Sequence, residues 1–174
     1  GAFIPLASTC SWNFQQGSML QWLPNNPGKI IYNDYDNNNN RFISVILDIK
    51  TKEKKVLPMP IYAVHPSGEF ALSVDFSLLD EAREGYGYKG TANNTPAFLI
   101  YSFKLDKNSQ PEPVIYSDGV FHNESLDYVD PNGRHWADHL TFNPSGGYFA
   151  FFHRQPAKGG GLFSQFYIAS EDGK

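Results

Sequence analysis

Three stretches of the chain share one pattern, and that pattern limits the fold more than any other feature. They are "MLQWLPNNPGKIIYND", "IYAVHPSGEFALSVD" and "HLTFNPSGGYFAFFH". Each has a short apolar run, then a proline (Pro24, Pro66, Pro144), then a glycine (Gly28, Gly68, Gly146), then a second apolar run. Proline presets the turn and glycine accepts positive φ, so each stretch reads as a β-hairpin. The first is followed by "RFISVILDIKTKEKKVLPM", a strand pair around a polar turn. The second is followed by "PAFLIYSFKLDKNSQPEPVIYS", another pair. The third runs into "LFSQFYIASEDGK" and stands one strand short. Four antiparallel strands per unit, repeated, is the pattern of β-propeller blades.

The expected fold is therefore all-β, with about three four-stranded antiparallel units, the last incomplete. The first blade is expected over about 18–60, the second over about 61–117 with a long insertion at 76–96, and the third over about 135–174. Three blades do not close a ring, and each blade needs a neighbour to bury its apolar face. The expectation is one piece of a larger propeller, with the remaining blades of a longer chain as its partners. An irregular β-sandwich of about ten strands is the alternative. Helical periodicity is nearly absent. The best helix candidate is "SLLDEAREG", with Ser77 as cap and Gly85 as stop.

Composition narrows the function classes. Hydrophobic residues make up 41% and charged residues 18%, which is a globular balance. The net charge of −4 argues against a nucleic-acid surface. The only basic cluster is Lys50, Lys52, Lys54 and Lys55, interrupted by Glu53, and it reads as a solvated hairpin tip. No apolar run is long enough for a membrane span, and no signal peptide is evident. The abrupt start leaves cytoplasm and periplasm both open. The lone Cys10 rules out an internal disulfide and reads as a small buried residue. "KGGGL" lacks the ending of a phosphate-binding loop, and no "GxSxG" elbow occurs.

Candidate chemistry gathers in "RHWADHLTFNPSGGYFAFFHR", which holds His135, His139 and His153. His139 and His153 are equidistant from Gly146. An unbroken ladder centred there would place them opposite each other, close enough to share one divalent ion. Aligned on the turn prolines, His139 corresponds to Met19 and Ile61, so the blade itself does not require a histidine there. His135 is expected in a loop, and His65 in the "VHPSG" turn is expected to do turn chemistry.

The "xxPSGxxfaf" hairpins resemble the TolB-like propeller repeat. Together with "STCSWNFQQGSMLQWLP", "YND" and "GYGYKG", "DHLTFNPSGGYFAFFHR" is similar to bacterial propellers related to oligogalacturonate lyases. Nearly the whole chain takes part in this resemblance. Those lyases are metal-dependent propellers that cleave uronic-acid oligomers by β-elimination, with histidines and a glutamine as metal ligands. The resemblance implies a divalent ion such as manganese at His139 and His153, and a carbohydrate or other small anionic ligand as partner. Arg83, Arg134 and Arg154 suit a uronate carboxylate, because guanidinium binds carboxylates bidentately. Trp12, Gln15 and Gln16 offer the aromatic and amide groups of a sugar site, and Tyr86 and Tyr88 suit a stacking loop. A non-catalytic propeller that serves as scaffold or sensor for protein or peptide is the competing expectation.

Overall fold

A computed structural model describes residues 2–90, 98–106, 108–116, 129–130 and 133–174. Among them are three antiparallel sheets. The first is β1 (Gln21–Trp22), β2 (Lys29–Asp36), β3 (Arg41–Asp48) and β4 (Lys54–Leu57), in that order. The second is β5 (Ala63–Val64), β6 (Phe70–Ser73), β7 (Phe98–Lys104) and β8 (Glu112–Tyr116). The third is β9 (Trp136–Phe142), β10 (Tyr148–Pro156) and β11 (Leu162–Ser170), with β10 in the middle. The expected all-β, blade-like architecture is present, with each repeat proline between the first two strands of its sheet. Residues 91–97, part of the expected insertion, and Ser117, at the expected end of the second unit, lie outside the described residues.

The first two sheets bury both faces of their central strands, so those strands read as nearly continuous apolar runs, whereas the third buries one face of β10. In the first sheet Ile31, Ile46 and Leu57 pack against Ile61, Ala71 and Phe103 of the second. The opposite face carries Ile30, Tyr32, Ile43, Val45 and Leu47. The second and third sheets share one larger cluster, with Leu72, Val74 and Ile100 on one side and Trp136, Leu140, Phe149 and Phe151 on the other. Each such side chain contributes roughly 1.5–3 kcal/mol when fully buried, so these junctions are the main source of stability.

Two polar devices fix one sheet on the next. Asn33 is fully buried on β2; its Nδ2 donates to the Ile61 carbonyl (2.8 Å), and its Oδ1 accepts from the Ile61 N–H (2.7 Å). The hairpin turns also nest. Gly68 has φ +73°, and a Cβ there would lie 2.6 Å from the Pro24 carbonyl oxygen in the preceding turn. Gly146 has φ +85°, and a Cβ there would overlap the His65 imidazole. In the first turn the left-handed residue is Asn25 (φ +59°), while Gly28 has an ordinary φ. The expectation of a positive-φ glycine therefore fails at Gly28. That loop is longer, closing from Leu23 N–H to the Lys29 carbonyl (3.0 Å), and asparagine tolerates the left-handed region.

The one helix of the described residues, α1 (Phe76–Ala82), lies between β6 and β7 in the sequence. Its cap is Asp75, not the expected Ser77: Asp75 Oδ1 accepts from Ser77 N–H (2.9 Å) and Leu78 N–H (3.0 Å). Ser77 is buried inside the first turn, and the helix ends at Arg83, before Gly85. Burial of Phe76 and Leu79 holds this short helix in place. Cys10 is exposed, contrary to expectation. Lys50, Lys52 and Lys54 are exposed at the β3–β4 turn, while Lys55 donates to the Leu105 carbonyl (2.7 Å). No helix among the described residues is long and apolar enough to cross a membrane.

Candidate functional site

A groove of about 990 Å³ runs along the first strands of the three sheets, β1, β5 and β9. Gln16, Tyr62 and His139 form its polar end, and Phe142, Phe152 and Phe166 supply aromatic wall. His139 occupies this groove because the ladder breaks beside it. Phe142 pairs with Phe149 and Thr141 with Ala150, but the next pair is Asp138 with Phe152. Two residues of β9, His139 and Leu140, thus stand opposite the single residue Phe151: a β-bulge. His139 has φ +55°, the left-handed conformation common in such bulges. Met19, at the matching position of the first unit, has φ +54°. The backbone kink recurs, but only the third unit places a titratable side chain on it.

The bulge overturns the expected opposition of His139 and His153. His153 pairs with Ala137. The hairpin is centred between Ser145 and Gly146, one half-step from the assumed centre, and the bulge adds a further offset. A slip of one residue moves a side chain to the other face. The His139 ring packs edge-on against Phe152 (5.4 Å between centroids), whereas His153 is the next residue along and faces the opposite way, into the interior. The two are not placed to share an ion. Among the described residues no group of three or more His, Cys, Asp or Glu side chains is positioned to hold a metal. His139 and His153, the donors implied by the resemblance, thus lie on opposite faces of the third sheet.

The partner of His153 is instead His135. Its Nδ1 lies 2.9 Å from His153 Nε2, with the rings nearly parallel (6°). Burial holds the His153 imidazole down, to about 4; the neighbouring His135 adds to this and a Gln165 hydrogen bond opposes it. Burial also lowers His135. The pair is neutral near pH 7. One ring donates to the other, which fixes complementary tautomers.

His139 is held from below by Asp138. Its Nδ1 is 2.8 Å from Asp138 Oδ1; the Asp138 side chain is 0% exposed and that of His139 45%. Nδ1–H therefore donates to a buried carboxylate, and Nε2 is left for the groove. The second Asp138 oxygen accepts from Trp136 Nε1 (3.0 Å). Arg154 Nε approaches Oδ1 to 3.2 Å as an ion pair without hydrogen-bond alignment. The His139 N–H donates to the Tyr62 hydroxyl (2.6 Å), which also contacts Gln16 Nε2. Burial pushes the Tyr62 phenol up to about 12, against the opposing pull of these donors, so it stays protonated.

The other candidates divide into two sets. Gln16, Tyr86, Arg83 and Arg154 cluster around His139. The Tyr86 ring lies 6.3 Å from that of His139, and its carbonyl accepts from Asn13 Nδ2 (3.0 Å). Arg83 lies over the Tyr86 ring at 4.1 Å, and Arg154 lies over Phe152 at 4.6 Å. Arg134 is bound to Glu81 at the surface. Trp12 is exposed and edge-on to Phe14, and Gln15 is exposed. Tyr88 is core: it stacks on Phe76 (4.5 Å), and its hydroxyl accepts from Asn33 Nδ2 (3.1 Å). The sequence singles out neither Asp138 nor Tyr62. The signal for Asp138 is an acidic residue inside a strand, between the apolar Trp136 and Leu140, where an unpaired carboxylate would be costly.

Comparison with protein-family models, with curated proteins and with solved structures finds no match for this chain.

Proposed function

We propose that the groove binds an acidic oligosaccharide and that His139 is the residue that engages it. The supporting observation is the Asp138–His139 pair. A half-exposed imidazole sits where the sister units carry Met19 and Ile61, with one nitrogen committed to a buried carboxylate. That arrangement commits Nδ1 to the carboxylate and leaves Nε2 as the ring atom facing the groove, the geometry of a histidine oriented for proton transfer. Phe142, Phe152 and Phe166 offer apolar faces for sugar rings, and Gln16 offers an amide. Among the three arginines, Arg134 and Arg154 already contact carboxylates. Arg83 has no carboxylate partner among the described residues, so it is the one to receive a uronate.

If the ligand is also cleaved, the chemistry follows. His139 Nε2 takes the proton beside the uronate carboxylate. The electron pair forms a carbon–carbon double bond, the glycosidic C–O bond breaks, and the leaving oxygen takes a proton from water, whose hydroxide the imidazolium then neutralises. The products are an unsaturated uronide and a shortened oligomer. Calorimetric titration with galacturonate oligomers, with neutral galactose oligomers as the control, tests binding. Absorbance of unsaturated uronides tests cleavage. Equal affinity for the charged and neutral oligomers would remove the uronate reading. A second reading, a scaffold for protein, is favoured by the exposed Trp12, Phe14, Leu20 and Trp22. In that case neither oligomer binds.

A further inference from the structure

We infer that the outer face of the third sheet is a docking surface for a further antiparallel sheet of the same repeat, seated as the third is on the second. On β10 and β11 this face carries Tyr148, Ala150, Phe152, Phe166 and Ile168; Phe166 is 77% and Ile168 75% exposed. The preceding sheet shows what such a face is for. Ala150 and Phe152 follow Pro144 at the same intervals as Leu72 and Val74 follow Pro66. Leu72 and Val74 are buried, together with Ile100 of the third strand, in the cluster that includes Trp136, Phe149 and Phe151 of the next sheet. The alternate residues Phe149 and Phe151 face backward, as Ala71 does at its own junction. The face that is buried at the second–third junction is thus apolar but uncovered at the third, where Ala150 and Phe152 are half-buried and Phe166 and Ile168 largely exposed.

Continuity with the two existing junctions identifies the occupant. At each, an apolar sheet face is covered by the following sheet, whose turn glycine nests on the preceding turn: Gly68 on Pro24, Gly146 on His65. The third turn, with Asn143 and Pro144, presents the next such seat. The exposed face carries no unpaired charge among the described residues, because its Arg154 contacts Asp138. The third sheet also lacks, among the described residues, the fourth strand that β4 and β8 supply to the others. Phe152 and Phe166 belong at once to this face and to the groove of His139. A docked sheet would therefore close one wall of that groove. The inference does not depend on what the groove binds.

The test uses Ile168→Cys, with the exposed native Cys10 as internal reference. Maleimide labelling is followed by peptide mapping in the full-length protein as its gene encodes it and in the 174-residue chain. The expected result is a thiol at position 168 that reacts at least about tenfold more slowly than Cys10 in the full-length protein, while the two react alike in the 174-residue chain. Equal reactivity in both would overturn the inference. Protection that disappears on dilution, together with a falling mass, would mean that a second copy covers the face and would overturn it as well. Hydroxyl-radical labelling of the native Phe166 gives the same readout without a substitution.

Discussion

The imidazole of His65 occupies the space directly over Gly146, so the turn of the third hairpin rests on the turn of the second. The same ring stacks on Phe70 (4.2 Å) and meets Phe142 edge-on (4.9 Å), which ties the two sheets at their turns. Gly146→Ala would be strained at φ +85° and would also displace His65. The expected loss is about 2–4 kcal/mol in urea unfolding. Gly147→Ala, with nothing within 4 Å of its added Cβ, should stay within about 1 kcal/mol of the parent. Equal effects at the two glycines would count against nested turns.

Asn33 offers a second probe of the junctions. Asn33→Leu keeps the volume but leaves the buried Ile61 N–H and C=O without their amide partner. Each orphaned group costs about 1–3 kcal/mol, so a loss of roughly 3 kcal/mol or more is expected from denaturant midpoints. A change below about 1 kcal/mol would show that the clamp is not formed.

Burial of the His135–His153 pair predicts a pH dependence with a definite sign. His153 is held at about 4 in the folded state, against an ordinary value of 6.5. Between those values the unfolded chain binds more protons, so stability rises with pH. It should be fully present above pH 6.5 and fall away as the pH drops toward 4, by up to about 3 kcal/mol. Urea unfolding across that window checks this. His153→Gln should flatten the slope, and an unchanged slope would remove His153 as its source.

Asp138 and Glu81 make ion pairs of different kinds. Asp138→Asn leaves Arg154, whose side chain is 13% exposed, beside a neutral amide. The expected loss is about 3 kcal/mol. Glu81→Gln breaks only the surface pair with Arg134 and should cost less than about 1 kcal/mol. Thermal unfolding of the two variants side by side measures the difference.

Much of the fold was legible in the sequence because the hairpins announce themselves through proline, glycine and apolar alternation. What was not legible is instructive. The register at His139 depends on a bulge, and "YFAFFH" is apolar at nearly every position, so alternation could not reveal where the ladder slips. The cap of α1 was misread because Asp75 looked like the end of a strand, although a carboxylate one residue before Phe76 satisfies two first-turn N–H groups. Tyr88 reads as an exposed loop tyrosine beside glycines, yet Phe76 and Phe42 enclose it in the core. Gln16 and Tyr62 lie far apart in the chain, and only the packing of the N-terminal segment on the second sheet brings them to His139.

The central claim is that His139, and not the interior His153, engages an acidic sugar in the groove. Asparagine tolerates the left-handed backbone at position 139, so His139→Asn removes the imidazole with little disturbance of the bulge. The decisive measurement is calorimetric titration of galacturonate oligomers into the parent, His139→Asn and His153→Gln. Binding that weakens at least about tenfold in His139→Asn and holds within about threefold in His153→Gln is the predicted result. No binding by the parent, or equal binding by the parent and His139→Asn, would contradict it.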